Sequence, residues 1–238
     1  MAVILVGVAK AGFGGGAGVL GTPLMALTIP VAEAVALMLP LLIVCDIFSV
    51  WHYRTRFHRR SVGLLLAGSV LGVGAGTVFF GVFIGNQRVL ELGVGTLALL
   101  FVAFRIGRGY ISGKLEARRP SAAEGVLMGA ASGFGSTLAH AGGPPAAMFV
   151  LPQKLPRDLF VGTTVTFFAG LNLIKVVPYY GLGLWKTGDV WTILMLAPLS
   201  FLGVRLGIIL IRRFTDAWFT RAIYALLLAT GLKLVLHG

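Results

Sequence analysis

The stretch ASGFGSTLAHAGGPPAAM, residues 131–148, lies in an apolar run from 122 to 151 that has the length of a membrane crossing but is broken in its middle. Glycine costs about 1 kcal/mol in a helix interior and proline about 3. A lipid-facing segment has no water to satisfy the backbone groups that such breaks release. The run is therefore expected to form a re-entrant or broken helical hairpin with its Gly-rich tip inside protein, a kinked full crossing being the competing reading. The stretch KAGFGGGAGVLGTP, residues 10–23, breaks the apolar run 1–30 in the same way. The two breaks correspond. Gly12-Phe13-Gly14 recurs as Gly133-Phe134-Gly135 and Gly21-Thr22-Pro23 as Gly142-Gly143-Pro144, both 121 residues on. Ser69-Val70-Leu71-Gly72 with Gly76 recurs as Ser200-Phe201-Leu202-Gly203 with Gly207, 131 residues on. Ordered matches at two nearly equal offsets point to an internal duplication.

Around these breaks the chain is that of an integral membrane protein. Of 238 residues, 57% are hydrophobic and 12% charged, against about 25% charged in a soluble domain, and the mean hydropathy is +0.93. Six uninterrupted spans at 31–53, 61–83, 89–109, 160–180, 189–211 and 218–236 are each long enough to cross about 30 Å of hydrocarbon. The net charge of +12 forms no basic stripe on a polar surface, so nucleic acid is not the expected partner; it suits the retention of Lys and Arg in cytoplasmic loops. Cys45 is the one cysteine, which excludes intrachain disulfides and Cys-ligated metal. Lys10 and the glycine run interrupt the first apolar stretch, so it does not read as a cleavable signal peptide.

Loop charge separates the two readings of the broken segments. If both cross fully, 11 cationic residues share one side and 6 the other; if both are hairpins the division is 14 against 3, with Arg88, Lys186 and Lys233 outside. The hairpin arrangement satisfies the positive-inside rule better. Arms of about 11 residues would reach about 16 Å, to mid-membrane. The expected fold is all-α, with two inverted repeats, each a hairpin plus three transmembrane helices: residues 1–111, a cytoplasmic linker 112–121, and residues 122–238.

Five glycines between Gly12 and Gly18 expose backbone amides, and successive N–H groups ahead of a helix N-terminus make an anion-binding nest. Gly14, Gly15, Gly16, Thr22 and Pro23 are the substrate-binding candidates of the first tip, and Ser136, Thr137, His140, Gly142, Gly143 and Pro144 those of the second. The alternative, that the glycines only admit close helix packing, is the reading adopted for Gly68, Gly72, Gly76, Gly203 and Gly207. Ionisable groups inside the membrane are functional candidates: Lys10, Asp46, His140, Lys175 and Arg205. Lys175 shares a helix face with Asn172, and both join the candidate site. Thr163 and Thr164 are added because they open the following crossing, although such hydroxyls also bond their own helix. His140 and Asp46 are the proton-coupling candidates, a core histidine and a structural ion pair being the respective alternatives. The four His and eight carboxylates show neither metal-ligand spacing nor a nucleophile–base pairing. No catalytic residue, metal or cofactor is expected, and no phosphate loop for ATP is present.

The Gly12 to Gly16 tip followed by Pro23-Leu24, the turn Tyr53-Arg54, and a second copy with Gly142-Gly143-Pro144 and Gly162-Thr163-Thr164 resemble the sulfite exporter TauE/SafE family over nearly the whole chain. The second tip departs from a perfect copy, with Ser136-Thr137 where the first has Gly15-Gly16. The resemblance implies a multi-pass transporter of a prokaryotic cytoplasmic (inner) membrane for sulfite, sulfonate or related organosulfur anions. Expected partners are that anion, a coupled proton and the lipid bilayer, with a homodimer left open. The expected mechanism is secondary transport by alternating access. A small-anion channel and, less favoured, a membrane acyltransferase are the other classes.

Overall fold

The computed structural model describes residues 18–112, 118–184 and 216–237. The first tip at Gly12 to Gly16, Lys10, residues 113–117 of the linker, and the crossing expected at 189–211 with Arg205 lie outside the described residues. Every described element is helical: α1 Gly18–Met25, α2 Val31–Tyr53, α3 Arg59–Phe83, α4 Gln87–Ser112, α5 Ala122–Ala139, α6 Gly143–Val150 with a 3₁₀ turn Leu151–Gln153, α7 Arg157–Gly181 and α8 Asp216–His237. Helices α2, α3, α7 and the first 18 residues of α4 are long and apolar enough to cross a membrane.

Prolines set the starts of α2 and α7. Pro30 and Pro156 occupy the N-cap positions with extended backbone, ψ 144° and 147°, where a missing N–H costs the helix nothing. The two helices pack antiparallel. The α-carbon of Gly162 abuts the carbonyl of Arg56 and, ten residues along each chain, the amide of Asn172 meets the carboxylate of Asp46.

Among the described helices α3 and α5 make the most extensive contact, and glycine makes it possible. A Cβ at Gly68 or Gly72 would strike the carbonyls of Val126 or Ala130, and one at Gly129 or Gly133 those of Leu65 or Ser69. Small residues four apart let the two backbones touch, and in lipid that contact supplies much of the association energy. Gly68, Gly72 and Gly76 therefore serve packing.

Charges gather at two opposite ends. Arg56 pairs with Asp158 at 2.7 Å, His58 N–H donates to Thr163 Oγ1 at 2.9 Å, and Arg118 N–H donates to the Pro152 carbonyl at 3.0 Å. The last contact joins the chain just before α5 to the chain just after α6. Residues 118–153 thus form a helical hairpin whose two ends lie together. At the far end of α3, Arg88 donates to the carbonyls of Leu234 and Val235 at 3.0 and 2.7 Å, tying the start of α4 to the end of α8.

Candidate functional site

The hairpin arms are unequal, with 18 residues in α5 and 8 in α6. Gly133 and Gly135 do not end α5, Gly133 being packed against Ser69 and Val73 of α3 and Gly135 against Ala141 and Leu97; the chain turns only at His140. There the His140 N–H donates to Ser136 O and the Ala141 N–H to Gly135 O, both at 3.0 Å, the first of them the bond of an αL closure. His140 occupies its left-handed position, φ 54° and ψ 26°, where glycine is usual and a side chain costs about 1 kcal/mol or more. Ser132 Oγ donates to Gly142 O at 2.5 Å, and α6 begins at Gly143 with Pro144 in its first turn.

Helix α7 lays a polar stripe against this tip. Lys175, 0% exposed, donates from Nζ to Ser136 Oγ at 2.9 Å and to Ser136 O at 3.2 Å. Tyr179, also 0% exposed, donates to Thr137 O at 2.7 Å. A cation and a hydroxyl thus meet carbonyls at the C-terminal, negative end of α5, the favourable sign. The ring of Tyr179 stands edge-on to His140, centroids 6.4 Å apart, and 5.8 Å from the Lys175 ammonium. Thr22, from α1, places Oγ1 3.3 Å from His140 Nδ1. Thr22, Ser136, Thr137, His140, Asn172 and Lys175 are all buried.

One turn before Lys175, Asn172 Nδ2 donates to Asp46 Oδ2 at 2.6 Å. The antiparallel register places Lys175 level with Ile43, one residue from the middle of α2. The cluster accordingly sits about half-way along α2 and three-quarters of the way along α7.

The structure brings together Thr22, Ser136, Thr137, His140 and Lys175, with Asn172 and Asp46 beside them and Gly142, Gly143 and Pro144 forming the turn; Pro23 follows Thr22 inside α1. It does not bring Thr163 and Thr164 to them. Lys175 is twelve residues beyond Thr163 on α7, about 18 Å at 1.5 Å per residue. Thr163 Oγ1 donates to Leu159 O at 2.6 Å, and Thr164 Oγ1 to Val161 O at 2.9 Å. Sequence reasoning passed over Tyr179, which its i, i+4 relation to Lys175 could have revealed. It also passed over Ser132, which has no such signal.

A sequence model of the family described as sulfite exporter TauE/SafE matches residues 1–234, nearly the entire chain and both broken segments. The chain belongs to the sulfite exporter TauE/SafE family. No curated protein and no solved structure matches it. TauE/SafE proteins are membrane transporters, and the apolar crossing helices of this member accord with that class. Within this TauE/SafE chain, the buried Lys175–Ser136–Tyr179 contacts join a crossing helix to the broken segment.

Proposed function

We propose that this TauE/SafE protein is a secondary carrier of the prokaryotic cytoplasmic membrane for sulfite, sulfonate or related organosulfur anions, and that the anion is held at the tip between α5 and α6. The observation that carries this reading is Lys175, a fully buried cation on a crossing helix, directed at Ser136 of the tip. A cation in low dielectric offers an entering oxyanion a charge-assisted contact. His140 and the α6 N-terminus from Gly143 add an imidazole and amide donors within the same turn.

Alternating access then consists of rocking residues 1–111 against 122–238 about the α2–α7 contact. Supporting an inverted repeat are the antiparallel run of α2 and α7, their matching starts at Pro30 and Pro156, and the meeting of Asp46 with Asn172 at the same distance into each helix. The meeting of Arg118 with Pro152 supports a re-entrant hairpin opening to the cytoplasm, with Arg88 and Lys233 outside. The coupled ion is a proton, carried by His140, with Asp46 as the alternative carrier.

Uptake by proteoliposomes tests the reading, using sulfite, sulfoacetate, thiosulfate and acetate under imposed pH gradients. Accumulation of an organosulfur anion above its equilibrium level is expected. Entry that only equilibrates would make the protein a channel.

A further inference from the structure

A second cationic feature lies away from the tip. Where α3 begins, a half-open cavity of about 380 Å³ is bounded by the α2–α3 turn and by the two ends of the hairpin. Its lining combines the cationic Arg60 and Arg119 and His58 with the apolar Leu64, Phe149 and Leu155. Ser61 Oγ, donating to Gln153 Oε1 at 2.9 Å, ties the start of α3 to the end of the hairpin.

The ion pairs around it leave the cavity positive. Glu124 is taken by Arg118 at 2.8 Å and Asp158 by Arg56 at 2.7 Å. Arg60 and Arg119 form no ion pair or hydrogen bond among the described residues. Two guanidinium groups facing one hollow suit an oxyanion, which they can hold through paired N–H donors. A small hydrated anion would use only the cationic half. Arg60 is the second residue of a crossing helix and Leu64 lies a turn deeper, the order in which a phospholipid presents phosphate and then acyl chain.

We propose that this cavity binds an anionic phospholipid of the adjoining leaflet, with Arg60 and Arg119 on the phosphate oxygens and Leu64, Phe149 and Leu155 against the first acyl carbons. Such a site fixes the hairpin's two ends to the membrane surface and does not depend on which anion is transported.

Native mass spectrometry of the full chain in neutral detergent tests this, titrating phosphatidylglycerol and phosphatidylcholine of identical acyl chains. Phosphatidylglycerol should be retained about 10-fold better, in line with two basic contacts at a membrane surface. In Arg60→Gln/Arg119→Gln the preference should fall to within about 2-fold, whereas Arg59→Gln/Lys154→Gln, which removes equal charge outside the cavity, should keep it. If the Gln pair does not elute as the wild type does, Arg60→Lys/Arg119→Lys decides. That variant keeps charge without the paired donors, so its preference should drop several-fold. Equal retention of both lipids by wild type overturns the proposal. So do equal losses in the two Gln pairs, an unchanged preference in the Lys pair, or displacement of the lipid by equimolar inorganic phosphate or glycerophosphoglycerol, which would mark a free-anion site.

Discussion

Asp46 and Asn172, each sixteen residues beyond the proline that caps its helix, are joined across the α2–α7 contact by a 2.6 Å hydrogen bond. A two-fold relation between repeats brings equivalent positions together where the axis passes. A buried hydrogen bond to a carboxylate contributes about 1.5–3 kcal/mol. Asn172→Ala and Asp46→Ala should each lower the unfolding midpoint in detergent, and the double variant should cost at least about 1 kcal/mol less than their sum. Strict additivity would show that the pair does not couple the helices.

Glycine at the α3–α5 interface should be irreplaceable where backbone faces it and dispensable elsewhere. Gly72→Val and Gly129→Val force apart helices whose carbonyls touch those α-carbons, and should cost about 1–3 kcal/mol or more, seen as lost monodisperse yield on size exclusion. Gly63→Ala and Gly74→Ala, with nothing within 4 Å of the added Cβ, should express like the wild type.

The joined ends of residues 118–153 place Leu155 at the same face as Arg56 and His58. In a Cys45→Ser background, Leu155→Cys should react with a membrane-impermeant maleimide from the cytoplasmic side only. Reaction from the periplasm alone would mean that the segment crosses fully.

His140 holds a left-handed conformation that glycine adopts without strain. His140→Gly should therefore keep or raise thermal stability, by up to about 1 kcal/mol, while impairing transport. His140→Gln retains a donor but cannot titrate, so any pH dependence of transport that His140 supplies should flatten. Retention of the wild-type profile would leave His140 a structural residue and pass the coupling role to Asp46.

Much of this was legible in the sequence because lipid makes backbone rules strict. The span read as 31–53 is Val31–Tyr53, bounded by Pro30 and by the first cation, Arg54; other helices run one to three residues past their apolar windows, since helices continue into the interface. The unequal hairpin was not legible. Gly133 and Gly135 read as breaks, yet both stay helical, Gly133 packed on α3, and the turn moves to His140. Thr163 misled for a related reason. Its neighbour is the His58 amide, a tertiary contact that no local pattern encodes. Lys175 and His140 stood out because ionisable residues are rare in membrane helices, and both are buried.

The most direct test of the central claim is uptake of labelled sulfite by proteoliposomes under an imposed pH gradient, with wild type and Lys175→Met measured side by side. The wild type should accumulate sulfite above equilibrium. Lys175→Met, eluting as the same species, should accumulate at least about 10-fold less, the loss expected when a charge-assisted contact worth about 1.4 kcal/mol or more is removed. Equal accumulation by the two proteins would contradict the placing of the anion at the Lys175–Ser136 tip.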